Sequence, residues 1–331
     1  MKNIIILGDG SWGTTIAIHL VKQGFDVTLW GPFVDYLKEV EANKENKKFL
    51  AGITLPDNLK FSYNLKDDID KSDVIVFAIP SKYSAGVLDE LATFSIDWDK
   101  KLFLSLTKGI EIKELLRISE IVEKKIPSIN FAVLSGPTIA VEVAKQIPST
   151  AVIAAENLDI AKQLQKMMHS NTFRIYTNTD VIGVELGGSV KNVIALACGV
   201  CDGLGYGTNT KSAIVTRGLV EMSRLGMSLG AQQNTFSGLT GLGDLVTTCF
   251  SPKSRNRSVG ELLGNGSKID DILSKMDMVA EGVETAKAIY DLSKKRNISM
   301  PITKEVYEII YQQKSPIEAV NDLMNRDSKS E

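Results

Sequence analysis

From the amino terminus to about residue 180, short apolar runs alternate with longer stretches in which apolar residues recur every three or four positions. The short runs fall at 3–7, 27–30, 74–79, 102–106, 131–135, 150–154 and 173–176. Most are apolar at nearly every position, as a strand covered on both faces requires. Helical periodicity follows several of them, at 11–23, 84–91, 115–124 and 160–168. Strands and helices in this alternation predict a doubly wound, mainly parallel α/β sheet. Beyond about 180 the pattern changes. Helical periodicity fills 182–201, 209–228, 258–263, 281–295 and 303–313, with Pro301 and Pro316 at helix boundaries, and no convincing strand follows. The polar ending RDSKSE is expected to fray.

The first loop adds chemistry to this pattern. GDGSWG places Gly8, Gly10 and Gly13 in the spacing G-x-G-x-x-G, directly after the run IIIL and at the start of a helix near Ser11. In that context Gly8 permits the tight turn and Gly10 lets backbone amides approach a pyrophosphate. Gly13 allows close helix–strand packing, and the helix N-terminus favours the anion. The expected architecture is therefore a dinucleotide-binding Rossmann domain over 1–180 and an all-helical, substrate-binding domain over 181–331. An NAD site usually has an acidic residue closing the second strand. Here Trp30 is followed by Gly31-Pro32-Phe33, with no acid and no arginine, and Asp26 stands at the wrong end of the strand. Phe33 is placed to pack on an adenine or to staple the next helix. NAD and NADP both stay open.

Composition narrows the class without naming it. The 331 residues are 44% hydrophobic and 24% charged, enough for a large core. The net charge of −2 gives no basic field for nucleic acid. No apolar run reads as long enough to cross a membrane, and the start MKNIIILGDG reads as a strand, not a leader. Three cysteines fit a reducing, cytoplasmic setting more than a disulfide framework. Cys198 and Cys201 form C-x-x-C inside a helical pattern, with Cys249 the sole remaining thiol and neither His19 nor His169 close in sequence. They read as small packing residues, and no metal site is expected. The glycine-rich stretch 201–207 follows a helix and so reads as a helix–helix connection.

In an open α/β sheet, ligands bind beyond the carboxyl ends of the strands. That rule selects Pro80-Ser81, Thr107-Lys108-Gly109 and Gly136-Pro137-Thr138, with Lys108 the one charge among them. Three features of the helical half join these. The first is Lys191-Asn192 within ELGGSVKNVIALACG, where Gly187, Gly188, Ala195 and Cys198 clear the same face. This lysine is either an active group or the structural partner of a carboxylate such as Glu185 or Asp244. The second is Asp244, after TGLG, which would also serve as a helix N-cap. The third is Ser254-Arg255-Asn256-Arg257, read as a loop that is either solvated or captures phosphate through a guanidinium.

Taken together, GDGSWGT (8–14), TKGIE (107–111), SGPT (135–138), ELGGSVKNVIALACG (185–199), TGLGDL (240–245), SRNRSVG (254–260) and VAEGVETA (279–286) run in order across almost the whole chain. In this combination the sequence resembles NAD(P)-dependent glycerol-3-phosphate dehydrogenase of the bacterial type. The resemblance implies reversible conversion of sn-glycerol 3-phosphate to dihydroxyacetone phosphate, which supplies phospholipid synthesis, and a homodimer. It implies Ser11, Trp12, Lys108, Ala140, Arg255, Val279 and Glu281 at the cofactor. It implies Lys108, Gly136, Thr138, Lys191, Asp244, Ser254, Arg255 and Asn256 at the substrate, with Lys191 as proton acceptor. The segment Gly31-Pro32-Phe33 departs from the polar or basic residue that many relatives carry there.

Chemistry supports a lysine in this role. Hydride transfer to a ketone leaves alkoxide character on oxygen, which a nearby cationic proton donor stabilises. An unperturbed lysine, with a pKa of about 10.4, is too basic to work near neutrality. Partial burial and the second cation Lys108 would lower it, while Asp244 would oppose the shift. On this reading Lys191 is the acid/base, Lys108 polarises or orients the substrate, and Asn192 and Asp244 fix the lysine and the hydroxyls. Gly187, Gly188 and Ala195 would let the substrate and nicotinamide come close. A related β-hydroxyacid dehydrogenase and a non-catalytic nucleotide sensor are the alternatives.

Overall fold

The computed structural model describes residues 2–276 and 279–328. Eight strands form one sheet: β1 Asn3–Leu7, β2 Asp26–Trp30, β3 Lys60–Phe61, β4 Val74–Phe77, β5 Leu102–Ser105, β6 Asn130–Ser135, β7 Ser149–Ala154 and β8 Phe173–Asn178. Their order is β3-β2-β1-β4-β5-β6-β7-β8. β1 to β6 are parallel; β7 runs antiparallel to β6, and β8 parallel to β7. The reversal of order between β1 and β4 opens a crevice at their carboxyl ends, where ligands of this architecture bind. Helices α1 Ser11–Lys22, α2 Val34–Asn43, α3 Leu65–Lys71, α4 Ser81–Ala92, α5 Ile118–Lys125, α6 Ala140–Ala144 and α7 Leu158–Met168 alternate with the strands.

The near-continuous apolar runs have a direct cause. In β1, Ile4 and Ile6 pack into one core while Ile5 and Leu7 pack into the other. Val74 and Val76 divide from Ile75 and Phe77 in the same way. Both faces are covered, so both side-chain sets must be apolar. The run at 3–7 matches β1 at both ends, and the other six predicted runs coincide with strands to within a few residues. β3 escaped because two residues carry no periodicity.

The helical part contains α8 Val181–Gly203, α9 Thr208–Ser228, α10 Gln233–Phe236, a π turn at Leu239–Gly243, α11 Asp244–Phe250, α12 Arg255–Gly264, α13 Ile269–Leu273, α14 Glu281–Lys295, α15 Pro301–Tyr311 and α16 Pro316–Met324. Among the described residues no strand follows Asn178. The last three residues of the polar ending lie outside the described residues. The basic run 254–257 is not a loop, as its composition suggested. Ser254 is an N-cap whose hydroxyl accepts from Arg257 N, and Arg255 begins α12.

α8 is long and apolar enough, by length and composition, to cross a membrane, which corrects the expectation that no run suffices; 94% of its most apolar window is buried within the fold. It is the hub of the helical half, and its small residues explain how. Gly199 and Gly203 on α8 face Gly260 and Gly264 on α12. A Cβ at Gly199 would stand 2.0 Å from the Arg257 carbonyl oxygen, and one at Gly260 would stand 2.1 Å from that of Leu196. The two backbones touch, so no methyl fits between them. Gly260→Ala is therefore expected to cost about 3 kcal/mol, toward the upper end for overpacking, read as a lower denaturant midpoint. Gly86→Ala is the control. Gly86 is a helical glycine with open space around its Cβ position, and its replacement should stabilise by about 0.5–1 kcal/mol.

Candidate active site

Gly8 and Gly13 behave as their spacing predicts, each for a different reason. Gly8 has φ +117°, and a Cβ there would lie 2.6 Å from the Ala78 carbonyl of the neighbouring β4 crossover. A Cβ at Gly13 would strike the Gly8 carbonyl at 1.9 Å, so α1 sits directly on the turn. Around Gly10 there is open space, which leaves its backbone accessible at the start of α1. Trp12 Nε1 is buried without a hydrogen-bond partner, and Thr15 Oγ1 donates to Ala140 O (3.2 Å), tying α1 to α6. These features fit a dinucleotide: an open backbone cradle, a helix N-terminus and an orphaned indole donor. Phe33 is 70% exposed, so it does not staple α2.

Across the crevice, β5, β6, α8 and α11 bring four sequence candidates to one point. Lys108 Nζ donates to Gly136 O (3.0 Å) and to Asp244 Oδ2 (2.7 Å). Lys191 Nζ donates to the other carboxylate oxygen, Asp244 Oδ1, and to Thr248 Oγ1 (2.9 Å). One buried carboxylate thus bridges two ammonium groups, leaving a net positive centre. Asp244 is not an N-cap: Gly243 takes that position, and the Asp244 side chain is spent on the lysines. Glu185, the other carboxylate considered for Lys191, instead accepts from Arg117 Nη1 (2.7 Å) and Ser119 Oγ (2.6 Å).

Gly187 and Gly188 do not open space beside Lys191, as the small-residue pattern suggested. A Cβ at Gly187 would lie 2.5 Å from the Thr240 carbonyl, and one at Gly188 would lie 2.7 Å from Ser135 Oγ. They let the π turn and β6 pack directly on α8, which carries Asp244 to Lys191 and sets the helix against the strand ends. Ala195 is fully buried in the helical core.

Asn192 begins a second chain of contacts. Its Nδ2 donates to Lys108 O (3.4 Å), and its Oδ1 accepts from Asn256 Nδ2 (2.9 Å). Asn256 Oδ1 accepts from Gly282 N (2.9 Å) at the start of α14. Arg255 Nη1 donates to Val279 O (2.7 Å), and Ser81 N donates to Glu281 Oε1 (3.3 Å). The segments 107–109, 191–192, 254–256 and 279–282 therefore form one connected wall. Arg257 turns away, to Asp202 Oδ2 (2.6 Å), and so is structural. Thr138 Oγ1 donates to Gly136 O (3.1 Å) at the β6 end.

Electrostatics distinguish the charged groups. Burial lowers the Lys191 ammonium, Asp244 opposes that, and Lys108 adds to the lowering, leaving the pKa at about 8. Burial raises the Asp244 carboxyl, but the two lysines outweigh it and hold it below the ordinary range. Glu281 is raised, chiefly by burial. The three cysteines are buried. The hydrogen bond with Cys249 and burial raise Cys198, and burial pushes Cys201 up to about 12, so neither is a ready thiolate. His19 is committed to Met168 O (2.8 Å).

Thr248, the second partner of Lys191, was missed in the sequence, although it stands one helical turn after Asp244. Ser135 was also missed: its buried hydroxyl lacks a hydrogen-bond partner beside Gly188.

Comparison with known proteins shows the family. A family model described as NAD-dependent glycerol-3-phosphate dehydrogenase N-terminus matches residues 3–161, and its C-terminal counterpart matches 180–321. The glycerol-3-phosphate dehydrogenase [NAD(P)+] of Chlorobium limicola is 44% identical over 332 residues, covering 99% of both chains. That of Prosthecochloris aestuarii is 45% identical over 331 residues, again covering 99% of both. The crystal structure of glycerol-3-phosphate dehydrogenase from Coxiella burnetii superposes with a TM-score of 0.95 at 37% identity, covering 98% of this chain and 99% of that one. By sequence and by fold, the chain belongs to the NAD-dependent glycerol-3-phosphate dehydrogenase family.

Proposed function

We propose that the protein interconverts dihydroxyacetone phosphate and sn-glycerol 3-phosphate with NAD(H) or NADP(H), and that Lys191 moves the proton. The observation that carries this reading is the buried Lys191–Asp244–Lys108 bridge at the carboxyl ends of β5 and β6. A bound reduced nicotinamide supplies the hydride. In the reductive direction the protonated Lys191 donates to the substrate oxygen as its carbonyl π bond gives way to C–H and O–H bonds. In the reverse direction the neutral amine accepts the alcohol proton. Lys108, held by Gly136 O and Asp244, orients the substrate and contributes positive charge where the alkoxide develops.

The remaining roles are part of the same proposal, and the grouping of these residues around the strand ends supports them. Gly8, Gly10, Ser11, Trp12 and Gly13 would hold the pyrophosphate side of the dinucleotide, with Ala140, Arg255, Val279 and Glu281 enclosing it and Phe33 near its adenosine end. Ser254, Arg255 and Asn256, at the N-terminus of α12, and Thr138 would receive the substrate phosphate. Asn192 braces this wall between Lys108 and Asn256. The break at residue 180, after the last strand, supports a dinucleotide-binding domain over 1–180 and a substrate-binding domain over 181–331. A cytoplasmic homodimer that supplies glycerophospholipid synthesis completes the reading.

The test is reduction of dihydroxyacetone phosphate by NADH and NADPH in parallel, followed at the nicotinamide absorbance, with short oxoacids as competing substrates. Turnover should require the phosphorylated ketone. Preference for an oxoacid would replace this reading with a hydroxyacid dehydrogenase, and binding without turnover of any of them would indicate a sensor.

A further inference from the structure

Asp9 stands between the first two glycines of the loop, where phosphate binding asks only for backbone. Its main chain is pinned: the carbonyl accepts from Thr14 Oγ1 (3.1 Å) and from Asn46 Nδ2 (2.7 Å). The residue is 6% exposed, and the buried Oδ2 has no hydrogen-bond partner. Leaving a buried carboxylate oxygen unpaired is costly, and burial accordingly raises this carboxyl, against the pull of its backbone bond and of Lys48.

The carboxylate fills a particular space. A Cβ built on Gly31 would lie 2.3 Å from Asp9 Oδ2 and 2.8 Å from Oδ1. Residue 31 directly follows β2, the place from which this architecture draws the acidic side chain that binds the ribose 2′-hydroxyl of NAD. β1 and β2 pair side by side through Leu7 and Trp30, and Gly8 N donates to Trp30 O (2.9 Å). The acid missing from the end of β2 is thus supplied from the end of β1, into room that a glycine at 31 leaves free.

We propose that Asp9 is the specificity-determining residue for the dinucleotide: its carboxylate accepts from the ribose 2′-hydroxyl of NAD(H) and repels the 2′-phosphate of NADP(H). The proposal rests on the dinucleotide reading of the loop and deepens it by choosing between the two cofactors. Lys48 is the cation whose charge acts on Asp9.

The experiment is calorimetric titration of the full chain with ADP-ribose and with 2′-phospho-ADP-ribose, for the unaltered protein, Asp9→Asn and Asp9→Ser. The kcat/KM values for NADH and NADPH are measured alongside. Asn keeps the shape and removes the charge; Ser removes both, and each leaves the backbone contacts of residue 9 in place. The unaltered protein should bind ADP-ribose about 10- to 100-fold tighter than the phosphorylated compound, the range for one hydrogen bond to a charged group. Both variants should lose most of that ratio, and the kcat/KM ratio should follow. Equal binding, or tighter binding of the phosphorylated compound, by the unaltered protein overturns the proposal. So does a ratio unchanged in whichever variant folds. If the folded, unaltered protein binds neither compound, the dinucleotide reading falls with the proposal; binding of both without discrimination removes the role of Asp9 alone.

Discussion

Replacing Lys191 with alanine is expected to lower turnover about 10²- to 10⁴-fold, the range for loss of a positioned acid/base, while dinucleotide binding is retained. The split follows from the geometry. Lys191 lies on α8 and reaches Asp244 and Thr248, whereas the glycine loop lies at the end of β1 and makes none of those contacts. Removing the ammonium leaves Asp244 paired with Lys108 (2.7 Å), so the carboxylate is not stranded and the fold should survive. Single-turnover reduction, with dinucleotide affinity titrated separately, checks both halves. Near-normal turnover would remove Lys191 from the chemistry and leave it the structural partner of Asp244.

Asp244→Asn should have the second large effect, through two routes. The carboxylate is the shared counter-ion of two ammonium groups whose side chains are only 14% and 7% exposed. Removing one member of a buried ionic cluster and leaving the others typically costs about 3–5 kcal/mol. A loss of unfolding free energy of that size is expected, read from the denaturant midpoint and slope. The second route is electrostatic. Asp244 is the group that holds the Lys191 ammonium up against burial and Lys108. Without its charge the lysine titrates below about 8, so at neutral pH less of it carries the proton that ketone reduction needs. The pH above which reduction declines should move down in this variant. An unmoved limb would show that Asp244 does not set the lysine's charge.

Much of the fold was legible because its two halves obey different periodicities. The runs around Ile4–Leu7 and Val74–Phe77 show no alternation because both sheet faces are covered, and that itself signals a doubly wound sheet. What could not be read was direction and pairing. Nothing in the composition of β7 marks it as antiparallel, since a strand buried on both faces reads the same either way. The site was legible wherever a charged residue interrupts an apolar or small-residue stretch: Lys191 within α8, Lys108 after β5 and Asp244 after the π turn. The choice between Glu185 and Asp244 as partner was not legible. Both are close enough in sequence or setting, and the outcome depends on Arg117 claiming Glu185 from 68 residues away. The small residues of α8 were recognised, but their purpose was misassigned. They bring backbones together at Thr240, Ser135 and α12, and the active cluster is a consequence of that closeness.

On the proposed mechanism, Lys191 is the group whose protonation state controls the reaction. The most direct measurement is the pH dependence of kcat/KM for glycerol 3-phosphate oxidation, from pH 6 to about pH 9.5, in the unaltered protein and in Lys191→Ala. Oxidation needs the neutral amine, so kcat/KM should rise with pH through an ionisation at about 8 and level off above it. In the reductive direction the same ionisation should appear as a fall, because the protonated form is the donor. In Lys191→Ala the residual activity should lose this ionisation. An inflection near 8 that persists in the variant, or a flat profile in the unaltered protein, would contradict the account.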